Sequence, residues 1–166
     1  MIETARLSTR YDVRRLIESD VDEVFELCQG NTQFYQYCEA NPTRDQVFND
    51  MRITPPGITT SHKFYVGFYQ QRTLVAIMDL IDGYPEPEIA YIGFFMMNIR
   101  YQGKQIGSSI IGEVAQYLKD AGKRAIRLAI DKANPQSTHF WKKNGFTVLR
   151  EIDRGNWTIL EAEMTL

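Results

Sequence analysis

Nine consecutive residues, Ile89-Ala-Tyr-Ile-Gly-Phe-Phe-Met-Met97, carry no charge and no proline. A run this apolar, rich in β-branched and aromatic side chains, reads as a long buried strand. It opens into a polar loop that holds Gly103 and Gly107, and then into a helix expected from about Gln105 to Ala121. Ile106, Ile110, Ile111, Val114, Ala115 and Leu118 recur there at helical spacing and make one apolar stripe, which Gly122 ends. Arg124–Ile130 is a further strand, Asn134–Asn144 a short helix closed by Gly145, and Phe146–Leu149 and Trp157–Met164 the last two strands, turning at Asp153–Gly155. Strand, helix, strand, helix, strand in this order demands a sheet with helices packed on it.

The first half supplies the rest of that sheet. Tyr11–Ile17 alternates polar and apolar residues and reads as an edge strand. Ser19 and Asp20 can cap a helix that carries Val21, Val24, Phe25, Leu27 and Cys28 on one side and stops at Gly30-Asn31. A second short helix is expected from Thr43 to about Arg52, with an aromatic cluster, Phe34–Cys38, between the two. Lys63–Tyr69 and Leu74–Ile81, joined by a tight turn, form a hairpin. The expected order is β-α-α-β-β-β-α-β-α-β-β, an α/β chain with a mixed sheet and helices on both faces, as one domain over residues 1–166.

Composition excludes several classes. No apolar run approaches the roughly 20 residues that span a bilayer, so no membrane partner is expected. The first residues show no apolar signal region, and Cys28 and Cys38 fit neither a disulfide framework nor a metal-ligand spacing. A cytoplasmic protein with two reduced thiols and no metal is expected. Net charge is −2, but residues 100–145 hold nine Lys/Arg against three Asp/Glu, a local +6 that leaves −8 for the remainder. A basic segment suits an anionic ligand. Nucleic acid has the right sign, but the chain is acidic overall and shows no nucleic-acid motif, so none is expected.

The chemistry is concentrated where the apolar strand meets the next helix. Glycines let backbone N–H groups come close to a ligand, a helix N-terminus offers unpaired donors and partial positive charge, and Lys104 adds a full charge. Together they can hold a phosphate, although an ordinary βα loop has the same outline. There is no Gly-x-Ser-x-Gly elbow and no Gly-Lys-Ser/Thr phosphate loop.

Two motifs sharpen this. Gln102-Gly-Lys-Gln-Ile-Gly107 is similar to the Gln/Arg-x-x-Gly-x-Gly/Ala loop that binds the coenzyme A pyrophosphate in the GNAT family of N-acetyltransferases, with Gln105 where the family has its first glycine. Asn134-Pro-Gln-Ser-Thr-His-Phe-Trp-Lys-Lys-Asn-Gly-Phe146 resembles the family's Asn-x-x-Ala-x-x-x-Tyr-x-Lys-x-Gly-Phe: Asn134, Lys143, Gly145 and Phe146 match, Ser137 replaces the small Ala, and Trp141 stands at the Tyr. Asp79-Leu-Ile-Asp-Gly-Tyr-Pro85 also resembles a group of small bacterial members. The resemblance runs from about Tyr11 to the C-terminus and is best over Asp79–Phe146.

It implies an acetyl-coenzyme A-dependent N-acetyltransferase. The cofactor would lie on Phe95, Met96, Met97, Gln102, Gly103, Lys104, Gln105, Ile106, Gly107, Ser108, Asn134, Trp141 and Lys143. The pantetheine arm would run beside Phe95–Met97, in a cleft where that strand leaves Ile126–Ile130, and a backbone N–H at Met96 or Met97 would hold the oxyanion. The amine would attack directly, without a covalent acyl-enzyme. A lysine-like amine has a pKa of about 10.4 and needs a base or a desolvated site. Asp79, Glu88 and Tyr91 are the candidates, and each has an ordinary structural explanation as well. Trp141 cannot serve as the acid that the family's tyrosine supplies. His139 and His62 read as surface or structural residues. Phe34, Tyr35 and Tyr37, with Glu39, Glu86 and Glu88, would shape the pocket of a small-molecule or protein amine acceptor. Family analogy also allows a homodimer through the last strands. Three other readings stay open: a coenzyme-binding module without transfer, a transferase of larger acyl groups, and a nucleotide-binding α/β protein of another family.

Overall fold

The computed structural model describes residues 2–166; Met1, the first residue of the expected domain, lies outside them. Among the described residues, seven strands and five α-helices follow one another as β1 (Asp12–Arg15), α1 (Val21–Gln29), α2 (Thr32–Tyr35), α3 (Arg44–Asp50), β2 (Lys63–Gln70), β3 (Thr73–Asp82), β4 (Ile89–Met97), α4 (Ile106–Asp120), β5 (Ala125–Asp131), α5 (Pro135–Lys143), β6 (Thr147–Asp153) and β7 (Thr158–Thr165). They form one mixed sheet in the order β1-β2-β3-β4-β5-β7-β6. Only β4 and β5 are parallel; every other pairing is antiparallel.

The expected order holds, with one addition. The aromatic cluster after α1 contains α2, a single turn in which the N–H groups of Phe34 and Tyr35 donate to the Asn31 carbonyl. The first strand is shorter than its alternation suggested, and β6 runs on to Asp153 because the hairpin with β7 keeps supplying partners. Thr43 caps α3 as expected, its Oγ1 accepting from the Gln46 N–H at 3.1 Å.

Alternating residues explain the layers. Phe64, Val66 and Phe68 of β2 pack with α4 on one face, while Tyr65 and Tyr69 pack with α1 and α3 on the other. Helices therefore cover both faces, and β2 and β3 are apolar on both sides rather than alternating. Among the described residues, no helix is long and apolar enough to cross a membrane.

Four of the nine cations in the basic segment are not free. Lys123, Arg124, Arg127 and Lys132 pair with Asp82, Glu86, Glu163 and Glu151. The segment supplies the sheet's interior strand β5, so its cations meet the acidic residues of the neighbouring strands and loops.

Two features of β4 position the site. It pairs with β5 only over Ile89–Ile92, against Ala125–Leu128, and beyond that the two strands part. At the same level the β3–β4 register shifts: Asp79 faces Phe94 and Leu80 faces Ile92, so Gly93 is the extra residue of a bulge.

Candidate active site

Where β4 and β5 part, a cleft of about 420 Å³ opens. Phe95, Met96 and Met97 form one wall, the loop from Gln102 to Ser108 closes one end, and Asn134, Trp141 and Lys143 of the α5 segment form the far side. Of the residues expected to hold the cofactor, only Lys104 is outside this lining; its Nζ donates to the Arg100 carbonyl at 3.0 Å instead.

The loop end is built to receive an anion. Ser109 donates the first hydrogen bond of α4, to the Gln105 carbonyl, so the preceding amides of Ile106, Gly107 and Ser108 point out of the helix end. The N-cap residue, Gln105, places no side chain on them. Gly107 lets α4 come close: a Cβ there would lie 3.2 Å from Phe140 Cε2 and 3.5 Å from Met97 Cγ.

Gln105 is left-handed, with φ 61° and ψ 6°. Glycine takes this conformation freely, whereas another residue gives up about 1 kcal/mol or more. The family position thus keeps its glycine geometry without its glycine. Gln105→Gly is expected to stabilise the protein by about 0.5–1 kcal/mol, raising Tm by roughly 1–4 °C. Scanning calorimetry of the two proteins checks this, and a lowered Tm would show that the Gln105 side chain has a stabilising contact.

Backbone direction decides which amides of β4 face the gap. The Asn98 N–H donates to Val75 on β3 at 2.8 Å. Amides alternate along a strand, so that of Met97 points the other way, into the gap left by β5, as does that of Phe95. The Met97 and Phe95 amides are open to an acceptor in the gap; that of Met96 faces β3.

Aromatic rings line the middle of the cleft. Phe95 stacks on Phe140, with centroids 5.9 Å apart and planes 17° from parallel. Trp141 is wedged between Phe95, Phe140 and Phe146 at 6.0, 5.0 and 5.1 Å and is 7% exposed. It is a core tryptophan with one edge on the cleft.

Other expected residues do different work. The Gln102 amide donates to Asn31 Oδ1 and reaches the Met97 carbonyl at 3.4 Å. Asn134 caps α5, its Oδ1 accepting from the Ser137 N–H at 3.0 Å. Phe34 joins the cleft and packs on Phe94, but Tyr35 turns into the core beside Cys28, and burial pushes its hydroxyl pKa up. Tyr37 lies in a separate basin of about 810 Å³ with Glu39, Asp131 and Trp157.

The three base candidates separate. Glu88 is exposed at the start of β4, where its carbonyl accepts from the Arg124 N–H, and Glu86 beside it pairs with Arg124. Neither lines the cleft, because β4 runs roughly 25–30 Å from Ile89 to Met97. Tyr91 faces Arg127 where β4 and β5 still pair, packs edge-on against Tyr84, and has its pKa raised by burial. Asp79 does not line the cleft either, but it alone of the three lies at the bulge. Its Oδ2 accepts from Lys63 Nζ at 2.7 Å, and burial raises its pKa while Lys63 opposes the rise.

Sequence reasoning missed Asn31 and Phe140 as parts of the site and set His139 aside, although its side chain borders the cleft. Asn31 is 4% exposed and donates to the carbonyls of Leu27 and Met97 at 2.9 and 3.0 Å, tying the end of α1 to the end of β4. Its only sequence signal was the helix stop at Gly30-Asn31.

Comparison with known proteins agrees with this fold. The model of the acetyltransferase (GNAT) family matches residues 22–146. Among solved structures, an acetyltransferase from Thermus thermophilus superposes with a TM-score of 0.76 at 19% identity, over 93% of this chain and 96% of that one. An acetyltransferase from Salmonella typhimurium that modifies the N-terminal serine of the 50S ribosomal subunit protein L7/L12 gives 0.73 at 17% identity, over 96% and 97%. The PaiA N-acetyltransferase of Thermoplasma acidophilum, in complex with coenzyme A, gives 0.69 at 18% identity, over 93% and 98%. The search of curated proteins returned no match.

Proposed function

This chain belongs to the acetyltransferase (GNAT) family, and from that premise we propose that it acts as a single domain over residues 1–166 and transfers acetyl from acetyl-coenzyme A to a primary amine by direct attack. One observation carries the reading: the gap between β4 and β5 and the uncapped N-terminus of α4 form one cleft, lined by residues of both motifs. The pyrophosphate is held by the amides of Ile106, Gly107 and Ser108, with Gln102, Gly103 and Gln105 shaping the loop and Lys104 and Lys143 contributing charge from outside and inside the cleft. The pantetheine arm pairs with β4 along Phe95–Met97, and the Met97 amide holds the oxyanion.

Asp79 takes the proton of the attacking amine; Glu88 lies five residues before Gly93, roughly 16 Å along β4, and Tyr91 is packed edge-on against Tyr84 with its hydroxyl pKa raised by burial. The thiolate leaves without a dedicated acid. A thiol pKa of roughly 8.5 lets water protonate it, which suits a tryptophan at position 141. The acceptor meets the acetyl group past Phe34 and Gly93, from the side of the basin that holds Tyr37, Glu39, Asp131 and Trp157. Carboxylates and aromatic faces there favour a cationic acceptor, either a small-molecule amine or an amine of a protein.

The left-handed Gln105 favours a second reading, a coenzyme-binding module with weak or no transfer. Thermal unfolding with acetyl-coenzyme A, coenzyme A and ATP, followed by an amine panel read by thiol release, separates the two. At about 100 times its dissociation constant, acetyl-coenzyme A adds roughly 2.7 kcal/mol, about 5–11 °C in Tm, and ATP does not. A shift without thiol release for any amine supports the module; no shift at millimolar cofactor removes the cofactor site.

A further inference from the structure

We propose that Lys63 is a positioning residue for acetyl transfer: its buried ammonium holds the Asp79 carboxylate against the Gly93 bulge of β4, where that carboxylate receives the amine proton. This rests on the acetyltransferase reading above and assigns a role to a lysine outside the cleft.

Four observations converge on the pair. Lys63 is 3% exposed, which is rare for a lysine, and Asp79 Oδ2 at 2.7 Å is its ion-pair partner. Gly93 is exposed although it lies in the central strand, and a Cβ on it would fall 2.6 Å from Asp79 Oδ2. The absent side chain therefore leaves the carboxylate facing the strand at the level where β4 and β5 separate. Asp79 Oδ1 is buried and has no hydrogen-bond partner among the described residues. A purely structural ion pair satisfies both carboxylate oxygens. Here one partner sets the orientation, and the second oxygen is unsatisfied, which keeps the group readily protonated.

The other groups facing Asp79 are few. Tyr65 of β2 lies across from it, and Asp50 of α3, itself partly buried, adds a like charge. Tyr35 of α2 and Cys28 of α1 bring no charge, burial raising the pKa of both. From β4, Gly93 and Phe94 bring no charge. Lys63 is thus the single cation that opposes desolvation of Asp79 among the described residues. It also borders an open basin of about 880 Å³, with Arg15, Gln46, Arg52 and Thr60, through which the proton can return to water.

The step balances. The acceptor ammonium gives one proton to Asp79 and its lone pair forms the N–C bond to the thioester carbonyl. The C–S bond breaks, the second surplus nitrogen proton reaches the thiolate through water, and Asp79 releases its proton to solvent.

The experiment is the pH dependence of kcat/KM for the amine in wild type, Lys63→Met, Lys63→Arg and Asp79→Asn, with acetyl-coenzyme A affinity measured in each. Asp79→Asn is expected to lower kcat by about 100-fold or more with cofactor affinity kept. In Lys63→Met desolvation acts unopposed, so Asp79 deprotonates later and the acidic limb moves up by about 1–3 pH units. Lys63→Arg restores the limb. Should Lys63→Met not fold, Lys63→Gln, which keeps a donor without the charge, carries the same expectation. An unmoved limb in the neutral variants overturns this inference alone; normal turnover by Asp79→Asn overturns it together with Asp79 as the base, and leaves acetyl transfer itself in place. A wild type that binds cofactor but releases no thiol with any amine overturns the transfer reading and this inference with it.

Discussion

Trp141→Ala is expected to lower Tm by about 6–20 °C and to remove measurable acetyl-coenzyme A binding. Trp141 is 7% exposed and touches three other rings, Phe95, Phe140 and Phe146, all with centroids within 6.0 Å. Truncating a buried tryptophan costs about 3–5 kcal/mol, because the neighbours cannot close the hole. For a domain of this size each kcal/mol is worth roughly 2–4 °C. The loss of binding follows from position rather than stability. Phe95 and Phe140 stack on each other across the cleft and both lean on the indole. Without it, the β4 wall and the α5 wall lose the spacer that sets their separation. Calorimetry with and without cofactor tests both parts. A fall of less than about 3 °C, under the loss that a buried ring implies, would mean that the rings repack, and the account of Trp141 as that spacer would be wrong.

Asn31→Leu is expected to cost about 2–4 kcal/mol and to raise KM for acetyl-coenzyme A roughly tenfold. Leucine has nearly the same shape, so packing is preserved and the loss is polar. The carbonyls of Leu27 and Met97 lose their Nδ2 donor, and the Gln102 amide loses its acceptor. A buried group left unpaired costs about 1–3 kcal/mol, and Gln102 relieves part of this because it still reaches the Met97 carbonyl at 3.4 Å. The kinetic effect arises because Met97 ends the strand along which the pantetheine is proposed to lie. Denaturant unfolding and steady-state kinetics on the purified variant check the two expectations separately. Unchanged KM with lowered stability would make Asn31 a fold residue only.

Much of the architecture was legible because it is local. The 3.6-residue stripe of α4, the uncharged run of β4 and the hairpin of β2 and β3 report burial within one element, and each was placed within a residue or two. The glycine loop before α4 was legible for the same reason: a strand, a short loop and the first turn of a helix are contiguous in the chain. The short α2 was not, since its single turn over Thr32–Tyr35 is too brief to show a period.

What the sequence by itself determined, then, is the order of elements, the mixed α/β sheet and the loop that closes one end of the cleft. The tertiary structure decided which side chains share a place. Asn31 meets Met97 across 66 residues, and Lys63 meets Asp79 across 16. Nor does spacing tell that Phe34 faces the cleft while its neighbour Tyr35 turns inward, or that Glu88 sits at the wrong end of its strand. The basic segment made the same point for charge, because ion pairs with distant strands neutralise much of it. Periodicity records how buried a residue is and along which face, whereas contact between residues far apart in the chain depends on strand register and on where β4 leaves β5, and neither is written in any single segment.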